Sequence, residues 1–292
     1  MNAIIFGING QDGFYLRELL NDHSIEVIGV SRTMGSNWIQ GNVKDFSFVS
    51  GLIKIHQPDF VFHLAAISTT QHNALFDNHD AISTGTINIL ESVKTHSPKT
   101  RIFLSGSAMQ FKNIGLPIDE NTPFEAGSAY AVARIHSVYA GRYYRNKFGL
   151  RVYIGYLFNH DSPLRSENHF NQKIVKAIRR IAEGSNEVLE LGNIEVMKEF
   201  NYAADIVNAI WQLINHDTEF EAVIGSGKAY KLKDWVEYCF NKINKNWEDQ
   251  VKQKPDFVPE YQILKSNPRL IMSIGWQPKM NFYQLADLML KC

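Results

Sequence analysis

Several features of secreted, membrane-bound or nucleic-acid-binding proteins are scarce in this sequence of 292 residues. Its two cysteines, Cys239 and Cys292, are too few and too far apart for a disulfide framework. Thirty basic side chains balance thirty acidic ones, so no net charge favours nucleic acid or an anionic membrane. No apolar run approaches bilayer-spanning length, and the first residues lack the basic stretch and the long apolar region of a signal peptide. These absences predict a cytoplasmic globular protein without nucleic-acid or membrane partners.

Short apolar runs alternate with longer amphipathic segments in the first half of the chain. This alternation is typical of a parallel sheet with helices on both faces. The predicted strands are Ala3–Phe6, Glu26–Val30, Phe60–Leu64, Arg101–Ser105 and Val152–Leu157. The predicted helices are Gly13–Asn21, Phe46–His56, Ala81–Thr95 and Ala129–Lys147. The sequence therefore predicts an α/β fold with a Rossmann-type, doubly wound parallel sheet, whose ligands bind at the carboxyl ends of the strands.

The pattern changes after residue 158. Long polar loops separate further helices, predicted at Phe170–Glu183 and Ala203–Asn215, and Ser185–Asn201 is expected to form a short strand and a loop. No linker separates the two halves, which indicates one compact unit. We expect residues 1–158 to form a cofactor-binding domain. Residues 159–292 should form mainly a smaller, interleaved substrate-binding lobe, with some segments returning to the sheet.

A glycine-rich turn follows the first predicted strand, and its glycines recur with GxxGxxG spacing. The first glycine permits a tight turn, the second lets the backbone approach a pyrophosphate, and the third lets the helix pack closely on the strand. The helix N-terminus then faces the diphosphate. Such a pattern alone is weak evidence, but here it opens a complete β–α–β unit. The expected cofactor contacts are Gly7, Ile8, Asn9, Gly10, Gln11, Asp12 and Gly13.

The end of the second predicted strand bears on the choice of cofactor. It reads Gly29-Val30-Ser31-Arg32, without the Asp or Glu that normally holds the ribose 2′-hydroxyl of NAD. Arg32 could instead pair with a 2′-phosphate, and the alternative is a solvated surface arginine. The residues therefore favour NADP over NAD.

Ser107, Tyr130 and Arg134 are the candidate catalytic residues. Ser107 follows a predicted strand, and Arg134 lies one helical turn beyond Tyr130, on the same helix face. A cation there favours the phenolate form, so Tyr130 could exchange a proton with a substrate oxygen while hydride moves. Ser107 would hydrogen-bond the same oxygen. The alternative is a helix that packs Tyr130 into a core while Arg134 extends towards solvent.

These motifs resemble those of a known family along nearly the whole chain. Tyr130-Ala131-Val132-Ala133-Arg134 resembles the YxxxK motif of the short-chain dehydrogenases/reductases. Four further runs are similar to motifs of GDP-mannose 4,6-dehydratases: residues 10–16 to GQDGxYL, 63–68 to HLAAQS, 158–165 to FNHESPxR and 191–205 to LGNxxxxRDWxxxxD. Residues 274–278 are similar to the LGWxP motif of extended family members.

The resemblance implies an NADP-dependent enzyme that acts on a GDP-linked sugar, and it extends the list of expected contacts. Further cofactor contacts are expected, besides Tyr130 and Arg134, at Asn42, Val43, Leu64, Ala65, Ala66, Ser68, His160 and Arg165. Substrate contacts are expected at Asn159, Lys173, Asn193 and Lys198, although a solvated face is the alternative for Lys173. His160 could be read as a metal ligand, but no second ligand lies at metal spacing from it, so no metal site is predicted. A homodimer or homotetramer is expected.

Three departures from the family pattern stand out. Where the dehydratases read STSELYG, residues 105–112 read Ser-Gly-Ser-Ala-Met-Gln-Phe-Lys, so that Met109 or, one register away, Ala108 replaces the catalytic Glu. Dehydration needs a base that removes the C5 proton and an acid that protonates the leaving C6 hydroxyl. The side chains of Met109 and Ala108 can neither accept nor donate a proton. Arg134 replaces Lys, which is not a conservative change. The segment Thr33–Gln40 is shorter than expected.

The leading hypothesis is an NADP-dependent reductase of a GDP-linked 4-keto-6-deoxy sugar, because hydride delivery with Ser107 and Tyr130 would suffice. The alternatives are a GDP-mannose 4,6-dehydratase with a relocated acid/base residue, a nucleotide-sugar epimerase, and a non-catalytic nucleotide-sugar-binding paralogue. Three carboxylates between Ser107 and Tyr130 could substitute for the missing one: Asp119, Glu120 and Glu125.

Overall fold

The computed structural model describes residues 1–291 as alternating strands and helices. The strands are β1 (Asn2–Phe6), β2 (Glu26–Ser31), β3 (Ile39–Gln40), β4 (Phe60–His63), β5 (Arg101–Ser107), β6 (Arg151–Leu157), β7 (His160–Asp161), β8 (Leu189–Leu191), β9 (Met197–Glu199), β10 (Asn201–Tyr202), β11 (Glu221–Ile224), β12 (Ala229–Lys231), β13 (Val251–Gln253) and β14 (Ile263–Leu264). The helices are α1 (Gln11–Asp22), α2 (Phe46–His56), α3 (Leu75–Asn78), α4 (Gly85–His96), α5 (Ala129–Phe148), α6 (Phe170–Ala182), α7 (Ala203–Ile214), α8 (Leu232–Asn241), α9 (Arg269–Ser273) and α10 (Phe282–Lys291). A π-helical segment, His79–Thr84, joins α3 to α4.

Seven parallel strands form the central sheet in the order β11-β6-β5-β4-β1-β2-β3. This order confirms the predicted α/β class, and all five predicted strands are present with ends shifted by at most two residues. The prediction lacked β3 and β11, the two edge strands. Each is short, and each is a strand because its backbone pairs with β2 or β6 rather than because of a strong local pattern.

Alternating side chains of the strands fill a core on each face of the sheet, as the period of a strand requires. In β1, Ile4 and Phe6 face the side covered by α2, α4 and α5, whereas Ala3 and Ile5 face the side covered by α1 and α7. The sheet is therefore buried on both faces, and polar ligands can reach it only at the ends of its strands.

A third apolar cluster lies in the second half of the chain. It packs α6, α8 and α10 around Phe200, Trp235 and Phe282, whose rings are 5.0–5.5 Å apart. Cys239 is buried in this cluster as a free thiol, and Cys292 lies outside the described residues. From the same half, α7 packs on α1 and β11 joins the central sheet.

Two local predictions were wrong. The helix predicted to begin at Ala81 begins as α4 at Gly85, and Ala81 lies within the π-helical segment, for which the sequence carries no distinct periodicity. The loop predicted within Ser185–Asn201 contains β9, whose partners β12 and β14 are distant in sequence. Of the helices within residues 1–291, none combines the length and apolar character needed to cross a bilayer.

Candidate active site

A cleft of about 150 Å³ opens at the carboxyl ends of β1, β2 and β4. Among the expected cofactor contacts, it is lined by Gly7, Asn9, Gly10, Arg32, Val43, Leu64, Ala65 and Ala66. Its wall also includes residues that the sequence analysis did not select: Phe6, Val30, Ser31, Thr33, Gly41 and Ala81. Ile8 instead packs in the core below the turn, and the Asn42 side chain accepts a hydrogen bond from the Lys44 backbone. The Ser68 side chain is exposed and outside this lining.

The glycine turn is closed tightly around the start of α1. Gly7 has a φ of +95°, and a Cβ there would lie 2.8 Å from the Ala65 backbone nitrogen. A Cβ on Gly13 would lie 2.4 Å from the Gly7 carbonyl oxygen. No side chain caps α1, so its first N–H groups remain free for an anionic ligand. The turn therefore fits a dinucleotide pyrophosphate.

Arg32 lies at the rim of this cleft with an exposed side chain. It forms no ion pair with any residue in the range 1–291. The neighbouring Thr33 hydroxyl accepts a hydrogen bond from the Asn9 amide at 3.2 Å, which ties the rim to the glycine turn. A guanidinium without a protein partner is available to bind a phosphate.

Tyr130 and Arg134 are in direct contact on α5. Arg134 Nε donates to the Tyr130 hydroxyl at 3.1 Å, and Nη1 donates to the carbonyl oxygen and, at 2.8 Å, to the hydroxyl of Ser105 at the end of β5. Arg134 is only 5% exposed. The alternative in which this arginine extends towards solvent is therefore wrong.

Ser107 ends β5, two residues beyond the serine that Arg134 contacts. Its hydroxyl accepts a hydrogen bond from the Met109 backbone nitrogen at 3.2 Å and caps a short 3₁₀ helix, Ala108–Gln110. The Gln110 side chain returns the contact by accepting from the Ser107 backbone nitrogen at 2.9 Å. The Ser107 O–H itself stays available as a donor.

A second cavity, of about 250 Å³, lies between this 3₁₀ helix, the start of α5 and the segment before β14. We call it the sugar cavity, a name that follows only from the resemblance to the dehydratases described above. It is lined by Ala108, Met109, Phe111, Asn113, Glu125, Gly127, Ser128, Glu260, Tyr261 and Leu264. Both residues that the sequence places where the dehydratases carry Glu are thus on its wall. Burial raises the pKa of Tyr261 to about 12.

The structure distinguishes the three carboxylates between Ser107 and Tyr130. Asp119 accepts hydrogen bonds from Asn121 and Thr122 within its own turn. Glu120 accepts from the Val223 backbone nitrogen at 2.7 Å, and burial raises its pKa. Of the three, Glu125 lines the sugar cavity. Glu260, which the sequence analysis missed, also lines it and accepts from the Thr70 hydroxyl at 2.5 Å.

The segment after β6 binds the start of α1. His160 Nε2 lies 2.9 Å from an Asp12 carboxylate oxygen, and the Gln11 amide donates to the His160 carbonyl oxygen. Burial alone would lower the pKa of His160 and raise that of Asp12, but their mutual attraction outweighs burial. The pKa of His160 is therefore raised and that of Asp12 lowered, so protonated His160 and ionised Asp12 stabilise each other as a charged pair. The Ser162 hydroxyl donates to Gln11 at 2.9 Å.

Positive groups converge beside this segment. Arg165 Nη2 lies 3.2 Å from His169 Nδ1, and the Lys198 ammonium lies 5.2 Å from the centre of the Phe200 ring. Burial and the Arg165 charge lower the pKa of His169 to about 4. Burial also lowers the pKa of Lys198. One carboxylate, Asp161, lies 3.7 Å from Arg165.

Unpaired buried acceptors surround the same cluster. They are the side-chain oxygens of Asn159, Asn171 and Gln172. Buried polar atoms usually have partners, so these oxygens indicate where a ligand can supply N–H or O–H donors.

Two predicted substrate contacts do not join the cluster. The Lys173 ammonium donates to the carbonyl oxygen of Glu190, in β8, at 2.9 Å. The Asn193 side chain accepts from the Glu195 backbone nitrogen at 2.8 Å and stabilises its own turn. Within residues 1–291, no group of three or more His, Cys, Asp or Glu side chains could hold a metal ion.

Related proteins match this chain over four fifths of its length or more. The family model described as GDP-mannose 4,6 dehydratase matches residues 4–289. GDP-mannose 4,6 dehydratase 1 of Arabidopsis thaliana is 30% identical over 98% of this chain and 88% of its own length. The GDP-mannose 4,6-dehydratase of Yersinia enterocolitica is 31% identical over 80% of this chain and 70% of its own length.

Solved structures share the fold. UDP-glucose 4-epimerase from Thermotoga maritima with UDP-glucose has a TM-score of 0.88 at 17% identity, covering 100% of this chain and 98% of that one. RMD from Pseudomonas aeruginosa complexed with NADPH has a TM-score of 0.87 at 20% identity, covering 99% and 97%. The dTDP-glucose 4,6-dehydratase from Bacillus anthracis in complex with NAD also has a TM-score of 0.87, at 16% identity, covering 100% and 96%.

Proposed function

Because this chain belongs to the GDP-mannose 4,6 dehydratase family, we propose that it is an NADP-dependent enzyme that reduces a GDP-linked 4-keto-6-deoxy sugar. The observation that carries the proposal is the wall of the sugar cavity. Met109 and Ala108 line it where the dehydratases carry a carboxylate, while Ser107 and Tyr130 keep their hydroxyls. The groups for ketone reduction are present, and the family's group for elimination is absent at its usual position.

The glycine turn supports a nicotinamide cofactor as the hydride source. A Cβ at Gly7 or Gly13 would enter backbone space, and the uncapped start of α1 suits the pyrophosphate. Relatives of the same fold carry NAD or NADPH. Arg32, exposed and unpaired at the rim, favours the 2′-phosphate of NADP.

The chemistry of the chain's own residues then follows from their contacts. The bound cofactor supplies hydride to the ketone carbon. Tyr130 donates its proton to the ketone oxygen, and Ser107, whose hydroxyl hydrogen is unused, donates a hydrogen bond to that oxygen. The guanidinium of Arg134 contacts the Tyr130 hydroxyl and compensates the negative charge left on it.

The positive cluster is suited to the nucleotide diphosphate. Lys198 and Arg165, the latter expected from the resemblance to contact the cofactor and here proposed to bind the substrate instead, supply charge, and Arg165 has an Nε–H without a hydrogen-bond partner. The unpaired side-chain oxygens of Asn159 and Asn171 can accept hydrogen bonds from hydroxyl or base N–H groups. Since the sequence relatives are GDP-sugar enzymes by name, GDP should raise the melting temperature more than UDP or dTDP. A larger shift with UDP or dTDP would refute the choice of GDP.

A second candidate function is dehydration of GDP-mannose with a relocated acid/base residue. Glu125 favours it, because this carboxylate lines the sugar cavity together with Met109 and Ser128. In that case Glu125→Gln should remove the elimination step, whereas Glu120→Gln, which alters a contact to the sheet, should not.

Mass spectrometry of the products distinguishes the two functions. With the GDP-linked 4-keto-6-deoxy sugar and NADPH, we expect a product heavier by two hydrogens. With GDP-mannose and NADP, we expect no product lighter by one water, and such a product would overturn the reductase proposal. Met109→Glu restores a carboxylate to the cavity wall, and we expect this variant to gain some elimination.

Tyr130→Phe tests the proton donor. The variant keeps the ring and loses one phenolic proton, so the rate should fall roughly a hundredfold or more while NADPH affinity stays near that of the wild type. Tyr283→Phe, an exposed tyrosine on α10, is the matched control. Normal turnover by Tyr130→Phe would contradict the mechanism.

We also propose that the chain forms a homodimer or homotetramer. On α5, Val132, Tyr139 and Tyr143 are 51–58% exposed and share one helix face. Exposed apolar and aromatic side chains that share a helix face are typical of a protein interface. Light scattering of the wild type and of Tyr139→Glu tests the proposal, and a monomeric wild type would refute it.

A further inference from the structure

The guanidinium of Arg134 is held between two elements. Its Nε donates to the Tyr130 hydroxyl at 3.1 Å, while Nη1 donates to the Ser105 hydroxyl at 2.8 Å and to the Ser105 carbonyl oxygen. The Ser105 hydroxyl in turn donates a hydrogen bond, 3.0 Å long, to the carbonyl oxygen of His63 on the neighbouring strand. Ser105 is 5% exposed, so water does not compete for these contacts. A chain of hydrogen bonds therefore links β4 and β5 to the tyrosine.

The charge of Arg134 is not neutralised by protein acids. None of the carboxylates in residues 1–291 forms an ion pair with it. The nearby His63 ring is buried, and burial followed by the Arg134 charge lowers its pKa to about 4, so it is neutral at neutral pH. The phenol oxygen is the place where negative charge can develop next to this cation.

The geometry also orders the proton on Tyr130. Because Arg134 Nε–H donates to the phenol oxygen, that oxygen is an acceptor on this side and its own O–H must point elsewhere. The Tyr130 proton is thereby free for a substrate. A lysine at position 134 has a single ammonium in place of the planar fork, and it cannot reproduce the Nε and Nη1 contacts in this arrangement.

We propose that Ser105 is a positioning residue: it fixes the Arg134 fork, and the fork holds the Tyr130 hydroxyl ready to donate its proton. This inference rests on the proposed reductase function for its kinetic consequences. It also predicts that lysine, the residue of the family's YxxxK motif, does not substitute for Arg134 in this chain.

The kinetic test compares Ser105→Ala, Ser105→Thr and Arg134→Lys. With NADPH and the GDP-linked 4-keto-6-deoxy sugar, Ser105→Ala and Arg134→Lys should lower kcat about tenfold to a hundredfold, the scale expected for a misplaced donor. In Ser105→Ala, KM and the NADPH Kd should change little, since Ser105 is not among the residues that line either cavity. Ser105→Thr keeps the hydroxyl and should restore most of the rate.

Ser92→Ala is the matched control. Ser92 is another buried serine, on α4, and its hydroxyl has no hydrogen-bond partner. Its removal should leave kcat unchanged. If Ser105→Ala lowered only the melting temperature and left kcat at the wild-type value, the inference would be overturned.

A spectroscopic readout separates this inference from the proposed function. In protein labelled with 13C at the tyrosine Cζ, the resonance missing from Tyr130→Phe identifies Tyr130. That resonance should move in Ser105→Ala and Arg134→Lys and stay near its wild-type position in Ser105→Thr. If the Tyr130 resonance moved in these variants but the wild type turned over no keto sugar, the positioning role would stand and the reductase proposal would be refuted. If the Tyr130 resonance of Ser105→Ala stayed at its wild-type position, the positioning role would be refuted, whatever the activity of the variant.

Discussion

Glu199 is a buried carboxylate whose exchange for glutamine should destabilise the protein. Its Oε1 accepts from the backbone nitrogen and the hydroxyl of Ser266, both at 2.6 Å. Its Oε2 accepts from the Ser226 backbone nitrogen at 2.6 Å and from the Asn201 amide at 3.1 Å. Glu199 is 0% exposed and, within residues 1–291, forms no ion pair. One side chain therefore joins β9 to the loops after β11 and β14.

The magnitude follows from counting donors. Glutamine offers one oxygen and one NH₂ group, so in either orientation the backbone N–H of Ser226 or Ser266 faces another donor. A buried donor left unpaired costs about 1–3 kcal/mol. The bonds that remain also lose the strength that a charged acceptor gives them. Removal of a buried charge offsets part of this loss. We expect Glu199→Gln to lower the free energy of unfolding by about 2–4 kcal/mol.

Calorimetry measures this loss. For a chain of this size each kcal/mol shifts Tm by roughly 2 °C, so Glu199→Gln should melt about 4–8 °C below the wild type. Glu195→Gln is the control, because this exposed carboxylate pairs with Lys231 at the surface, where solvent screens the pair, and the variant should melt close to the wild type. A Glu199→Gln variant that melts within a degree of the wild type would refute the reasoning.

Gly13→Ala should reduce both the melting temperature and NADPH affinity, because its Cβ would lie 2.4 Å from a backbone oxygen of the turn. Gly51→Ala, with open space at its Cβ, should retain affinity and gain up to about 1 kcal/mol in its helix, as thermal melts and titrations will show. Arg32→Ala should cost about 1.5–3 kcal/mol of NADPH binding and leave NADH binding unchanged, and equal affinities of the wild type for the two cofactors in calorimetric titration would contradict this. Asp12→Asn should destabilise most between about pH 4 and 6.5. The lowered pKa of Asp12 adds stability that is lost as pH falls through it, and the raised pKa of His160 adds stability that is lost as pH rises through it. The difference from the wild type in urea unfolding should therefore shrink between pH 6 and pH 9, and a constant difference would rule out the charged pair.

The central sheet could be predicted because its strands carry strong local signals. The five predicted strands are apolar runs between turn residues, and the glycine turn after β1 marks where the first helix starts. The edge strand β11 could not be predicted in this way. Its four residues form a strand because they pair with β6, a contact that the sequence does not display. The π-helical segment likewise has no periodicity that distinguishes it from an α-helix.

The candidate site shows the same division between local and distant signals. The Tyr130–Arg134 contact follows from helical spacing, which places residues four apart on one face. Helical spacing could not show which of the three carboxylates lines the cavity. Glu120 is excluded only because it accepts a hydrogen bond from Val223 on β11, a contact that the sequence does not display. Glu260 gave no signal at all, since an isolated glutamate in a polar segment is usually solvated, and its place on the sugar cavity comes from tertiary folding.

Two departures from the family pattern point to the same property of the cleft. A dehydration is redox-neutral, so its hydride can return within one turnover while the cofactor stays bound. A reduction consumes NADPH, so the cofactor must leave after every turnover. Met109 on the cavity wall favours the second chemistry. The short segment after β2 is folded back on itself, with Trp38 Nε1 donating to the Thr33 carbonyl oxygen at 2.9 Å, and the Arg32 and Met34 side chains beside it are exposed. If the proposed reductase function is correct, this short segment would leave the Arg32 end of the cleft accessible to solvent, as an enzyme that exchanges its cofactor in each cycle requires.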